Sequence, residues 1–525
     1  MTNKINLIQK LKFYLWYLSR IHPLTGLPIR ILGKLYTSNF MQNYKNELKK
    51  IGLNNLPEDR YKRERNVPKQ FFIINSNLNS FENSRAVEVL LNHFRIPFSL
   101  ANYNDIQDSF FDDVDESIVV IGLKLTTNDV AKIKKILKDK IYKIIIYGPV
   151  KKQTDDSENI DYIDEDPIEM LPFNEGLRSD IVKKFTNILF KSKFLIVTGL
   201  MPAQVALRID DVIGNNAKEY ISTITKHNWM PNLGIFLDDF RNNTNNHSDF
   251  ISKLNKNDEV EISPHAYSAK KFIFFDYPNG HAITKDIFEN RWSMVENDFK
   301  MWGFKISSVL NAHFHTFSQE NFELFRKKNI KYIFSEFFPS KMKPISDSMY
   351  LPSGDPLCTT GQITEENIIQ MYSGDSSLCC NQISSFYDFL MHNDLSDRPS
   401  TAMERIKTRL DMSLGTGFAS FFTTHEYLIN NLSSEDLLIL FEKLEGYINN
   451  NKFKPTKTNL TEIGRTCENH TNIIIYSIQK KDSKYCIKLK GKSNGDFYLT
   501  YFDKNEMKRL LCPSFEGENI VEIPL

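Results

Sequence analysis

Apolar residues along this chain fall into two kinds of run. Residues 70–75 (QFFIIN), 117–122 (SIVVIG) and 143–147 (KIIIY) are short and continuous, the pattern of strands buried on both faces. Between them, residues 83–94 place Val87, Leu90, Leu91 and Phe94 on one helical face, and residues 128–138 read as a second helix. Strands alternating with helices predict a parallel sheet. An acidic stretch at 155–169, containing Pro167, reads as a solvated loop or linker. A second strand and helix series opens at residue 194 (FLIVTG) and continues to about 445. It includes a helix whose stripe of Ile287, Phe288, Trp292, Val295, Phe299 and Trp302 is core packing and stops at Gly303. Residues 446–470 are polar and rich in Asn and Lys, a candidate linker. Residues 472–478, 485–489, 497–502 and 520–523 then read as strands of a small β-domain, with Lys-Asp-Ser and Ser-Asn-Gly turns between the first three.

The first 65 residues read as a helical extension. Residues 13–18 (FYLWYL) are apolar and flanked by Lys4, Lys10, Lys12 and Arg20. One reading packs this helix on the body of the protein; the other lays residues 4–20 on an anionic membrane surface as a peripheral contact. The apolar stretch is too short for the h-region of a signal peptide, and no run in the chain approaches 18 apolar residues, so no transmembrane helix is expected. The expected location is cytoplasmic or membrane-peripheral.

With 525 residues, 41% hydrophobic and 25% charged, the chain has the balance of a multidomain globular protein. Its 66 basic and 65 acidic residues leave a formal charge of +1, so no global field recruits nucleic acid, which is not expected as a partner. Six cysteines without C-x-x-C spacing argue against both a disulfide framework and a zinc knuckle.

The chemistry concentrates at the ends of the apolar runs. Residues 206–212 (ALRIDDV) lead into Asp210 and Asp211, with a competing pair, Asp238 and Asp239, in GIFLDDF. Neighbouring side chains of a strand point to opposite faces unless the chain turns there. His265 follows VEIS-Pro, His313 and His315 follow ISSVL, His425 ends FASFFTTH, and His281 precedes the striped helix. A single histidine at a strand end is most often structural. Several such ends would converge at one mouth if the strands are parallel and close a barrel. A carboxylate with two imidazoles is a metal set that leaves a position open.

ALRIDDV resembles the first motif, T-F-D-D-G, of the polysaccharide deacetylase superfamily (carbohydrate esterase family four and its relatives). The carboxylates match; Arg208, Ile209 and Val212 replace the Thr, Phe and Gly. His265 matches the first histidine of the motif H-[ST]-x-x-H, but Ala269 stands four residues on, so the second imidazole would come from His281, His313 or His315. The segment TTHEYLINNL is similar to the last family motif, and Ser433 with Asp436 forms a cap for the helix that follows. The resemblance spans about residues 195–445.

It implies an α/β protein with a central (β/α) barrel of deacetylase type at 194–448. That barrel is preceded by the extension (1–65) and an αβ domain (66–193) that is flavodoxin-like in fold only, and is followed by a C-terminal β-domain (449–525). It further implies a divalent metal, zinc by family habit, held by Asp211, His265 and one of His281 or His313. Asp210 would be the general base and His425 the acid that protonates the leaving amine. Trp229, Tyr267, Phe314 and His315 would meet the substrate. The implied reaction is hydrolysis of an acetyl group, N-acetyl before O-acetyl, on a carbohydrate. Two other readings stand beside it: a non-catalytic glycan-binding scaffold on such a barrel, and a glycoside hydrolase-like barrel pairing Asp211 with Asp239 or Glu336.

Overall fold

β-Branched and aromatic residues dominate the short apolar runs, and these runs form strands. The computed structural model describes residues 71–75, 98–112, 118–147, 159–163, 197–198, 202–276, 282–313, 317–318, 321–336, 349–350, 362–363, 369–373, 376–377, 419–430, 432–503 and 506–524, with a few single helix positions besides. The first sheet contains β1 (Phe71–Asn75), β2 (Phe98–Asn102), β3 (Ile118–Leu123), β4 (Tyr142–Tyr147) and β5 (Ile160–Ile163). All its pairings are parallel, in the order β2-β1-β3-β4-β5, which is the flavodoxin-like strand order. Every residue of β3 is buried. Between β3 and β4, α1 (Thr127–Ile136) begins at a capping box between Thr126 and Asp129 and packs Val130 and Ile133 on the sheet. Val87 and Leu91 lie in a helix and are buried, as their spacing predicts. The acidic stretch is not wholly a linker. Its Ile160 and Ile163 are buried in β5, and Asp161 offsets the edge position by pairing with Lys143 at 2.5 Å.

The second series does not open at residue 194. β6 (Val197–Thr198) pairs antiparallel with a strand of the C-terminal region instead. The parallel series opens with β7 (Gln204–Val212), followed by α2 (Ala217–Lys226), β8 (Asn232–Phe236), α3 (Leu237–Asn242), α4 (Ser248–Lys256), β9 (Glu261–Ala266) and α5 (Lys285–Trp302). Next come β10 (Val309–Asn311), β11 (Phe317–Ser318), α6 (Phe322–Lys327), β12 (Tyr332–Glu336), β13 (Met349–Tyr350), β14 (Gln362–Ile363), β15 (Ile369–Ser373), β16 (Ser376–Ser377) and β17 (Ser420–His425). β11 and β13 form a separate antiparallel pair, and two larger sheets result, β16-β17-β7-β8-β9 and β10-β12-β15-β14, parallel except where β14 meets β15. They meet edge to edge: Ile262 of β9 bridges Ile306 in parallel, and Ser307 N donates to Ile262 O at 2.8 Å. One apolar core runs through both, with Phe288, Trp292, Val295, Phe299 and Trp302 of α5 packed into it as the stripe predicts, whereas Ile287, also assigned to the stripe, is exposed. The C-terminal ends of β7, β9, β10 and β17 therefore face the same side.

Residues 446–470 are not a linker. After α7 (Glu426–Ile429), α8 (Ser434–Asn450) runs through residue 450, and its cap bond from Asp436 N to Ser433 Oγ is 3.0 Å long. Then β18 (Thr456–Lys457) adds to β7, and α9 (Leu460–Asn472) buries Leu460, Ile463 and Cys467 against Ala206, Val309, Tyr332 and Ala419. The i, i+3, i+7 spacing of those three residues is helical; their polar neighbours obscured it. Glu261, at the N-terminal end of β9, accepts from Leu460 N and Thr461 N and so anchors α9 beneath the sheets. The tail forms the four expected strands, β19 (Ile473–Lys481), β20 (Lys484–Lys492), β21 (Phe497–Asp503) and β23 (Glu516–Pro524), and one that was not expected, β22 (Glu506–Cys512). These make two three-stranded antiparallel sheets, β19-β20-β23 and β22-β21-β6, around one core of Ile475, Ile487, Leu489, Phe497 and Leu499. The basic segment 4–20 lies outside the described residues. Among the described residues no helix is long and apolar enough to cross a membrane.

Candidate metal centre

β7 is buried along nearly its whole length and would present Asp210 and Asp211 to opposite faces if it stayed regular. It does not. Asp211 has φ 56°, in the left-handed region, and the register with β8 shifts between Ile209 and Val212. This bulge turns both carboxylates to the mouth of the sheet, as bulges near active sites often do.

Three donors converge there. His265 Nε2 lies 3.4 Å and His313 Nδ1 3.5 Å from Asp211 Oδ1. The two imidazole nitrogens are 3.1 Å apart. All three donor atoms fall within 4.8 Å of one another. Asp211 Oδ1 is buried and accepts no well-formed hydrogen bond; the nearby imidazoles hold its carboxyl below the ordinary value against the opposing effect of burial. A buried carboxylate oxygen in that state is costly unless a cation meets it. The donor set of one carboxylate and two imidazoles suits zinc and leaves a coordination position open. The residues present therefore fit a metal.

The surroundings fix these donors. His265 Nδ1 lies 2.6 Å from Asn311 O, so its N–H donates to that carbonyl and Nε2 is left for the centre. Phe236 stacks on His265 with 5.6 Å between centroids, and Phe272 stacks on His313 at the same distance. Burial pulls His313 down to about 3, against the Asp211 field, which keeps it neutral as a ligand must be. Burial also lowers His265, but Asp210 and Asp211 outweigh it and the net direction is up.

Asp210 lies beside the centre. Arg208 Nε donates to its Oδ1 at 2.9 Å, a second guanidinium nitrogen donates to Oδ2, and Asn311 Nδ2 donates to Oδ1. Burial would raise this carboxyl; the Arg208 guanidinium and His265 together hold it far below the ordinary carboxylate range. His425 ends β17, in register with Asp210, and its Nε2 is 3.9 Å from Asp211 Oδ2. Its Nδ1 is buried without a hydrogen-bond partner.

The structure thus brings together Asp210, Asp211, His265, His313 and His425. His281, Phe314 and His315 lie outside the described residues. Two expected substrate contacts are core residues. Trp229 precedes β8, at the end of the sheet away from the histidines; it is 1% exposed, and its Nε1 donates to Glu445. Tyr267 follows His265 but turns towards α5, where its hydroxyl donates to Arg291 O at 3.1 Å. Asp238 is paired with Arg241 and Lys271, which removes it as a competing ligand pair; Asp239 is half-buried in the first turn of α3. Glu336 ends β12. Sequence reading missed Arg208 as the partner of Asp210, Asn311 as the orienter of His265, and Glu426, whose buried carboxylate binds the turn after Asp211. Asn311 and Glu426 lie within recognised segments, each at or just after the end of a strand, the one signal that could have marked them.

No family model and no curated protein matches the chain. Similar solved structures include a candidate polysaccharide deacetylase from Mycobacterium smegmatis, 11% identical, covering 51% of this chain and 91% of its own, at TM-score 0.33. A candidate glycoside hydrolase/deacetylase from Parabacteroides distasonis is 12% identical, covering 60% and 85%, at TM-score 0.31. Puue allantoinase is 9% identical, covering 51% and 90%, at TM-score 0.31. The first carries the name of the family that ALRIDDV resembles.

Proposed function

We propose that this chain is a metal-dependent hydrolase that removes an acetyl group, N-acetyl before O-acetyl, from a carbohydrate. The observation that carries the metal is the buried, partnerless Asp211 Oδ1 facing His265 Nε2 and His313 Nδ1. The substrate class rests on the resemblance of ALRIDDV and the order of the histidine segments after it. The two parallel sheets, joined at β9 and β10, would be the wall of a (β/α) barrel whose C-terminal mouth is the site.

Asp211, His265 and His313 would hold the metal, with zinc the ion that this donor set suits. When bound, it would polarise the acyl oxygen and acidify the attacking water. Asp210 would take the proton from that water. Its pairing with Arg208 and Asn311 costs basicity but fixes which oxygen edge faces the centre. His425, on the neighbouring strand and on the other side of Asp211, is placed to give a proton to the departing nitrogen; an amine leaves poorly without one. Base and acid thus stand on adjacent parallel strands in register.

Purified protein should contain about one zinc-type ion per chain, lost in Asp211→Ala. It should also release acetate from acetylated oligosaccharides, with Asp210→Asn and His425→Ala each reducing turnover at least ~100-fold while remaining folded. Turnover unchanged in both variants would remove these roles. A folded, metal-free, inactive parent would favour the glycan-binding scaffold.

A further inference from the structure

Glu426 directly follows His425 and opens α7, yet it is 1% exposed. Its Oε2 accepts from Ile213 N at 2.7 Å. Its Oε1 accepts from Gly214 N at 3.1 Å and from the Tyr220 hydroxyl at 2.8 Å. The two backbone donors belong to the turn that leaves β7, starting two residues after Asp211. Without Glu426 the buried Gly214 N and the half-buried Ile213 N would lose their acceptor. The helix this turn enters, α2, has no side-chain cap at Asn216, and a carboxylate held near its N-terminus suits the helix dipole. Asp211 holds a backbone conformation that a non-glycine residue keeps only when its surroundings impose it. Glu426 fixes the chain on the far side of that residue.

We propose that Glu426 is a positioning residue: it clamps the turn after Asp211, keeps that carboxylate aimed at His265 and His313, and ties it to the strand carrying His425. It is not one of the three converging donors and acts through the backbone. The inference rests on the metal reading above.

The test is zinc affinity of the full chain, measured by competition with a chromophoric chelator, in the parent, Glu426→Ala, Glu426→Gln and Tyr220→Phe, with Asp211→Ala as the reference for a lost ligand. Glu426→Ala should weaken zinc binding ~10–100-fold, the range for residues that orient ligands from behind. Glu426→Gln keeps the size and one acceptor oxygen and should fall between it and the parent. Tyr220→Phe removes one donor and should weaken binding several-fold. A purely structural role would lower melting temperature and leave zinc affinity unchanged where every variant is folded. Affinities of Glu426→Ala and Tyr220→Phe within twofold of the parent, with binding abolished in Asp211→Ala, would overturn this proposal alone. Should Glu426→Ala fail to fold, Glu426→Gln and Tyr220→Phe decide by the same criterion. A parent that binds no zinc overturns this inference and the metal reading together.

Discussion

Gly234 stands between Asp210 and His265: a Cβ placed on it would lie 2.9 Å from Asp210 Oδ1 and 3.3 Å from His265 Cβ. The three residues come from the adjacent strands β8, β7 and β9. The base and the ligand approach each other across the middle strand only because that strand has no side chain there. Its φ is not in the left-handed region, so alanine at this position would ordinarily be neutral or stabilising. Here Gly234→Ala should destabilise the chain by about 1–3 kcal/mol, the cost of overpacking, and should weaken zinc binding by displacing His265. Urea denaturation and a zinc titration check the two effects. An alanine variant as stable and as zinc-competent as the parent would mean that the sheet spreads without cost.

Arg208 and Asp210 are both almost fully buried, so each depends on the other. Removing one partner leaves a charge in a low-dielectric interior, at about 3–5 kcal/mol. Arg208→Met should cost that much. Adding Asp210→Asn to it should return part of the loss, because the orphaned charge is then gone. Chemical denaturation of the parent, both single variants and the double variant gives the coupling. Additive losses would show that the pair is not an energetic unit.

Much of this architecture is legible in the residues. The short Val- and Ile-rich runs at 117–122 and 143–147 became parallel strands, and the stripe from Phe288 to Trp302 became a buried helix face, because burial on two faces or on one stripe leaves a periodic mark. His265, Asp211 and His425 were identifiable as polar residues ending apolar runs. The third imidazole, His313, was one of several options, since which loop folds over the mouth is a tertiary fact. Trp229 and Tyr267 were misplaced because an aromatic ring near a strand end in sequence can face either the mouth or the neighbouring helix. The Asp211 bulge left no local signature: no glycine or asparagine marks that left-handed position. Helix α9 was hidden because its apolar contacts with the sheets' underside come from few residues, Leu460, Ile463 and Cys467, set among polar ones.

Glu426 should give the chain a distinctive pH dependence. Burial pushes its carboxyl up to about 7, against the backbone and Tyr220 hydrogen bonds that favour the ionised form, from 4.5 when unfolded. A raised value means that the folded chain binds the proton more tightly than the unfolded chain. The associated stabilisation is complete below about pH 4.5 and is lost as pH rises through about 7. Glu426→Gln lacks this titration. The stability of the parent relative to Glu426→Gln should therefore fall between pH 5 and pH 8, by on the order of 3 kcal/mol. Denaturation in the presence of a chelator, at unit steps of pH, measures it. A difference that is flat or rises with pH would contradict the assignment. At neutral pH the ionised form that binds Ile213 and Gly214 is thus kept at some expense of stability, as expected where a site needs a fixed turn.

The same trade is sharper at Asp211, where a left-handed backbone and a partnerless buried oxygen coincide. Asp211→Gly adopts that conformation freely, and Asp211→Asn tolerates it while losing the charge. In chelator, Asp211→Gly should exceed the parent by about 1 kcal/mol from relief of backbone strain, while Asp211→Asn should gain nothing, because it loses the imidazole contacts that hold the Asp211 carboxyl below its ordinary value. In zinc the order of Asp211→Gly and the parent should reverse. A ligand at 100 times its dissociation constant stabilises the folded state by ~2.7 kcal/mol, and only the parent retains the carboxylate that receives it. Thermal or urea unfolding of the three proteins, with chelator and with zinc, should therefore give stability orders that cross. Parallel orders under the two conditions would mean that Asp211 is held in its strained conformation for a reason other than a cation.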